Sequence, residues 1–331
     1  MSTERAAFVI DRRRFVALSL GTFVVASLPL ALRRRRARLI RRQLPVMGTI
    51  AQFAVVDHDD AHANAAIDAA MDELRWVERA MTRFDDGSDV GRVNVGAKHG
   101  PVVVGAETAL VVSEALRWAA ATDGRYDPAV GAVVRAWDVT HRHEPPSERL
   151  VRPLAGRRLH RAVEVGEHRG APVILFHDPA ASIDLGSIAK GYGVDRAIAR
   201  LRARGITSAI VEAGGDLYAL GASPSGDPWR IGIQDPNDDR NVVGVVDVAD
   251  AAVATSGTYR QFFRYRGKRF HHLMDPETAA PRETPVQSFT IRADSCMHAD
   301  VAATALYGMP HAHAKALLAR CAPGASIERI M

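Results

Sequence analysis

From residue 44 onward the chain shows two kinds of apolar spacing. Ile67, Met71, Leu74, Val77 and Met81 recur at three- and four-residue steps, which predicts an amphipathic helix over Ala61–Met81. Thr108–Ala121 reads as a second helix, Lys190–Arg204 as a third with Gly205 as its C-terminal stop, and Asp300–Tyr307 as a short apolar one. Shorter apolar runs predict strands at Val102–Val104, Val173–Phe176, Ala209–Glu212, Trp229–Gln234, Gly244–Val248 and Ser288–Arg292. His141–Pro153 and Ser223–Pro228 read as surface loops. Helices and strands interleave without the rhythm of a doubly wound sheet, and no linker or internal repeat interrupts them. The expected fold class is α+β, a single mixed domain over residues 44–331 with helices packed on a mixed or antiparallel sheet.

The N-terminus breaks this pattern. Phe15–Leu32 is an uncharged, mostly apolar run of 18 residues, near the lower limit for a bilayer-spanning helix. Asp11-Arg12-Arg13-Arg14-Phe15-Val16 stands just before it and looks like a twin-arginine export signal. Seven arginines follow the run and four precede it, which by the positive-inside rule favours a cytoplasmic body, and no clear small-x-small cleavage site follows. A signal anchor of either orientation therefore stays open beside the favoured expectation. That expectation is export to the extracytoplasmic, periplasmic face of the membrane, with residues 1–42 as signal or anchor.

Charge supports the division. Eleven arginines against two acids put residues 1–42 at +9, so the remainder carries −4 of the chain total of +5. A mildly acidic body lacks the footprint of a nucleic-acid binder, and no nucleic-acid partner is expected. Cys296 and Cys321 lack metal-finger spacing, and a disulfide between them stays open.

Four stretches carry candidate chemistry. In Asp184-Leu-Gly-Ser-Ile-Ala-Lys-Gly-Tyr-Gly-Val-Asp195 a carboxylate precedes a glycine turn and a helix start, whose free N–H groups and dipole suit phosphate, with Lys190 as an added point charge. A locally capped helix is the plain alternative. Glu212-Ala-Gly-Gly-Asp-Leu-Tyr218 offers paired glycines, and an ordinary tight turn explains it best. Ala254-Thr-Ser-Gly-Thr258 is followed by His271-His-Leu-Met-Asp-Pro276, where His272 either moves a proton or merely orders a turn with Asp275. In His298-Ala-Asp-Val-Ala-Ala-Thr-Ala305, Asp300 and Thr304 lie four apart on one helix face, hard oxygen donors suited to Mg²⁺, or else simply a helix start and a packed residue. The pairs His141/His143 and His311/His313 read as surface residues.

The order and spacing of these stretches together resemble the ApbE-type family of FAD:protein FMN transferases, from Val46-Met-Gly-Thr49 to about Gly308. Met81-Thr-Arg-Phe84 with Ser88 and Asn94, and Gly124-Arg-Tyr-Asp-Pro-Ala-Val-Gly131 with Trp137, look like two further family blocks. The resemblance implies an enzyme that binds FAD as substrate with Mg²⁺, transfers FMN to a Thr or Ser hydroxyl of a target protein, and releases AMP. It implies Asp300 and Thr304 as Mg²⁺ ligands aided by a backbone oxygen of Ser187, and Lys190 and Asp184 as FAD contacts. Met47, Phe84, Arg125, Tyr126, Asp127 and Leu273 would line the flavin nucleotide site, and His272 would take the proton of the incoming hydroxyl. The implied partner is an envelope protein with an FMN-binding domain and an Asp-Gly-x-Ser/Thr-Gly-Ala-Ser/Thr acceptor stretch, which this chain itself lacks. Ser187, Glu212 and Ala279 depart from the family's usual Gly, Asn and Gly. Two readings stay open beside transfer: Mg²⁺-dependent hydrolysis of FAD to FMN and AMP, and non-catalytic flavin binding in the envelope.

Overall fold

The computed structural model describes residues 23–26 and 37–331. The twin-arginine stretch and most of the apolar run Phe15–Leu32 lie outside the described residues. Within that run Phe23–Ala26 forms a strand paired antiparallel with Trp229–Asp235. Among the described residues no helix is long and apolar enough to cross a membrane.

Seven strands form the central sheet, in the order Ser326–Ile330, Ser288–Ala293, Ala251–Gly257, Asp216–Leu220, Ala209–Ala213, Thr49–Asp57 and Arg38–Val46. Every neighbouring pair in it is antiparallel. The sheet begins at Arg38, inside the basic segment assigned by sequence to the signal or anchor. It is buried on both sides, which explains the short, nearly continuous apolar runs. On one face Ala51, Phe53, Val55 and Val211 join the helices in the main core. On the other, Ala54, Ile210 and Leu217 pack against Trp229 and Ile231 of the hairpin formed by Trp229–Asp235 and Asp238–Val248.

The long helix Asp60–Met81 forms as its pattern predicts, with Asp59 capping it by accepting from the N–H groups of Ala61 and His62. Ile67, Met71, Leu74, Val77 and Met81 are all buried. The third predicted helix spans Ala189–Ala203 and stops before Gly205, whose φ is 78°. The helix expected at Asp300–Tyr307 instead spans Cys296–Ala305. Its start is moved forward by two caps: Ser295 Oγ accepts from His298 N, and Asp195 accepts from Cys296 N at 2.7 Å and Met297 N at 2.9 Å. Asp195 is remote in sequence, so local reading places that terminus too late.

The loop expected over His141–Pro153 needs correcting as well. It holds a helical turn at Glu148–Val151 followed by a 3-10 turn, because Val151 is drawn into a side cluster with Trp137 and Phe263. In that cluster the Phe270 ring stacks against both Trp137 and Phe263, at 5.5 Å and 5.2 Å between centroids. The cluster fixes the hairpin Phe262–Tyr265/Lys268–His271, and with it the start of the His271–His272 stretch. Both His-x-His pairs are exposed, and Cys296 and Cys321 are buried free thiols.

Candidate active site

The candidate site lies at one end of the sheet, where two tight turns meet two helices. Met47–Gly48 joins Arg38–Val46 to Thr49–Asp57, and Gly214–Gly215 joins Ala209–Ala213 to Asp216–Leu220. The turns touch: Gly214, at φ 61°, is close enough to Thr49 that a Cβ would stand 3.1 Å from its hydroxyl. Met47 is itself left-handed at φ 55°, an uncommon state for a side chain of this size, and its N–H donates to Glu78 Oε1 at 2.6 Å.

The helices Ala189–Ala203 and Cys296–Ala305 cross closely because Gly191 has no side chain. A Cβ there would fall 2.3 Å from the Cys296 carbonyl oxygen. The crossing brings Lys190 onto Asp300: its Nζ lies 3.3 Å and 3.2 Å from the two carboxylate oxygens, while Gly191 N donates to Oδ2 at 3.0 Å. Lys190 also reaches Asp216 Oδ2 at 2.7 Å and the Gly186 carbonyl at 3.1 Å. One ammonium thus sits between two buried carboxylates. Burial opposes its charge, but Asp216 and Asp300 more than compensate and hold Lys190 protonated. Burial and the nearby Asp300 push the Asp216 carboxyl well above the usual range, with Lys190 opposing.

The remaining expected residues fall around this trio. Thr304 Oγ1 meets Ser256 Oγ at 3.0 Å, so the Ala254–Thr258 stretch faces the helix that carries Asp300. Ser187 Oγ bonds the buried Tyr126 hydroxyl at 2.9 Å. Burial raises the Tyr126 pKa, and Asp300, Asp127 and Asp184 reinforce the rise. Asp184 is paired with Arg83 Nε at 2.7 Å and accepts from Gly186 N at 2.9 Å. Asn94 grips the adjacent backbone through both directions of a bond pair with Ile183. Phe84 is 80% exposed, with the Arg83 guanidinium 4.1 Å from its ring centroid. The Met47 side chain lies against Gly193, and Leu273 is buried. Arg125 donates to the Gly308 carbonyl at 3.0 Å. Asp127 turns inward, holding Ala129 N at 2.8 Å and His160 N at 3.0 Å, so its carboxylate shapes the loop from beneath.

His272 is not ordered by Asp275, whose Oδ1 accepts from Glu277 N. Its Nδ1 lies 3.3 Å from the Gln261 carbonyl oxygen, which can only accept. Nδ1 therefore carries the hydrogen and Nε2 keeps its lone pair. Burial lowers the His272 pKa to about 4, helped by His271 and Lys190, so the ring is neutral near pH 7.

The donors present fit Mg²⁺ in kind. Asp300 gives a carboxylate and Thr304 and Ser256 give hydroxyls, all hard oxygens. Among the described residues no three His, Cys, Asp or Glu side chains group as a metal site. A single protein carboxylate is what Mg²⁺ uses when substrate phosphates and water complete its shell. Sequence reading missed two contributors. Asp216 sits in a stretch read as a tight turn, and its carboxylate–glycine–glycine context was the available signal. Asp195 closes the singled-out segment, but only the fold shows it capping the helix that bears Asp300; burial pushes its pKa up to about 6 against those two backbone bonds.

The ApbE family model matches residues 47–327. A FAD:protein FMN transferase of Vibrio cholerae is 34% identical over 268 residues, covering 80% of this chain and 80% of that protein. One of Treponema pallidum is 32% identical over 301 residues, covering 86% and 83%. Among solved structures, the ApbE protein of Thermotoga maritima superposes with a TM-score of 0.78 at 27% identity, covering 88% of this chain and 94% of that one. The flavin transferase ApbE of Vibrio cholerae gives 0.73 at 30% identity, covering 86% and 91%. With similarity of this extent, the chain belongs to the ApbE family.

Proposed function

We propose that this protein is a Mg²⁺-dependent FAD:protein FMN transferase that moves FMN from FAD to a Thr or Ser hydroxyl of a target flavoprotein and releases AMP. The observation that carries the reading is the Lys190 ammonium set between Asp216 and Asp300 beside the Thr304 and Ser256 hydroxyls. Cationic charge and hard oxygen donors at one point suit a pyrophosphate. Mg²⁺ held by Asp300 and Thr304, with a Ser187 backbone oxygen, would neutralise phosphate charge as the bond to the leaving AMP breaks. His272 Nε2 takes the proton of the acceptor hydroxyl as its oxygen bonds to the phosphorus of the FMN half. Met47, Phe84, Arg125, Tyr126 and Leu273 would line the flavin nucleotide, with Asp184 as a further contact and Asp127 bracing the loop.

The target is a separate polypeptide bearing the acceptor stretch. The twin arginines and apolar run support work on the extracytoplasmic face of the membrane. A reporter fused after residue 42, active only in the cytoplasm, would remove that part of the proposal.

The test is direct. The chain is incubated with FAD, Mg²⁺ and an acceptor domain, and the products are examined for an FMN mass on the acceptor and for AMP. AMP without labelled acceptor would point to hydrolysis, and bound but unconsumed FAD to a binding protein.

A further inference from the structure

The face of the sheet turned away from Lys190 holds a polar pair that the reaction does not use. Side chains alternate across a strand. In Ala209–Ala213, Ala209, Val211 and Ala213 belong to the helix-side core and Ile210 to the opposite one, so Glu212 points to the opposite side. In Thr49–Asp57, Phe53 and Val55 face the helices and Ala54 does not, so Gln52 shares the face of Glu212. The two residues are direct cross-strand partners, which sets their Cβ atoms about 5 Å apart. Gln52 is 6% exposed and Glu212 5%. Gln52 Oε1 and Glu212 Oε2 are both buried without a hydrogen-bond partner among the described residues. Glu212 Oε1 accepts from Gly215 N at 2.7 Å.

Two adjacent buried acceptors leave two desolvated lone-pair sets unless one carries a hydrogen. A glutamate can supply it. We propose that Glu212 is a positioning residue that acts as a neutral carboxylic acid, donating Oε2–H to Gln52 Oε1 while Oε1 holds the Gly215 N–H. That grip fixes the Gly214–Gly215 turn, which Thr255 N also holds through the Gly215 carbonyl at 3.1 Å. Asp216, the next residue, is one of the two carboxylates on Lys190. Ionised, the same side chain would set an unpaired anion against a carbonyl oxygen and let the turn relax, shifting Asp216 and therefore Lys190.

The charged groups around Glu212 are mixed. Burial raises its pKa, while the Gly215 N–H, Arg260 and Lys190 lower it, and the balance stands at about 7. Asp216 is affected by Glu212 in turn, since the two acids disfavour each other's charge. The proton would therefore be lost near neutral pH, giving the turn a pH-dependent hold on the trio.

The first test is difference infrared spectroscopy of the full chain, wild type against Glu212→Gln, which keeps the size and a donor but cannot ionise. A protonated-carboxyl band should be present in wild type at about pH 6, absent from Glu212→Gln, and lost as pH rises past neutrality. No such difference at any pH overturns the proposal, and is what an ionised Glu212 accepting from a reversed Gln52 amide would give. Should Glu212→Gln fail to fold, Gln52→Met should shift the wild-type band toward that of an unbonded carboxyl, and an unshifted band overturns the pairing. The second test rests on the transferase reading. AMP release should fall about tenfold per pH unit on the alkaline side in wild type, and Glu212→Gln should flatten that limb. Identical limbs in both proteins would deny Glu212 its positioning role. The infrared result does not depend on turnover, so it separates failure of this inference from failure of the transferase reading.

Discussion

The two faces of the central sheet bury acidic groups in opposite ways. On the helix side Asp216 and Asp300 share the Lys190 ammonium, and Gly191 N adds a bond. On the hairpin side Glu212 has the Gly215 N–H on one oxygen, while its other oxygen has no hydrogen-bond partner among the described residues and Gln52 is its cross-strand neighbour. The first arrangement sets an ammonium against its acids, although burial still pushes Asp216 upward, and the second has no cation bonded to its acid, which we propose keeps a proton. Paired charge can meet a charged substrate, whereas a neutral acid can only hold the scaffold in place. On the proposed function the face with the ions is the reacting face, and the face with the Glu212–Gln52 pair supports it.

Breaking the ionic side should have the largest effect. Asp300→Ala should lower Mg²⁺-dependent AMP release by at least about a hundredfold, since it removes both the proposed metal donor and the Lys190 partner. Full activity in that variant, or in chelator, would refute the metal assignment. Lys190→Met leaves two buried carboxylates facing each other and should lower stability by about 3–5 kcal/mol in denaturant titration.

His272→Ala comes next. Transfer should fall by about 10²–10⁴ while FAD affinity changes little, and equal loss of both would make His272 structural. Because burial lowers its pKa from 6.5 to about 4, the acid limb of the wild-type profile should lie near pH 4. A limb near 6.5 would place the ring in water.

The hairpin side should respond through pH. The folded-state pKa of Glu212 is raised from 4.5 to about 7. Its protonation therefore stabilises the fold fully below the unfolded value, and that contribution is lost as pH rises to about 7. The ceiling is about 3 kcal/mol. Denaturant titrations of wild type and Glu212→Gln should diverge across that window, and parallel curves would show the group ionised throughout. The smallest effect is expected at the edge strand, where Arg38 meets Asp60 with both side chains more than half exposed. Arg38→Ala should cost less than about 1 kcal/mol. A larger loss would mean that exposed and buried pairs differ less here than proposed.

Much of this organisation was legible in the sequence. The helix Asp60–Met81 follows from spacing alone, because one buried stripe decides it, and the short strands follow from apolar runs flanked by turns. Lys190, Asp300, Thr304 and His272 were legible as chemistry because their types and local spacings limit what they can do. The start of the Cys296–Ala305 helix was not, since Asp195, a hundred residues earlier, caps it. Nor was the helical turn at Glu148–Val151, which exists because Val151 has a core to enter.

By itself the sequence determined the α+β class, the glycine turns and the candidacy of Lys190, Asp300, Thr304 and His272. Only the tertiary structure decided that Lys190 stands between Asp216 and Asp300, and that Glu212 faces Gln52. The physical reason is that local spacing fixes which face of an element a side chain takes, whereas its charge state depends on the partners and burial supplied by segments far away in the chain.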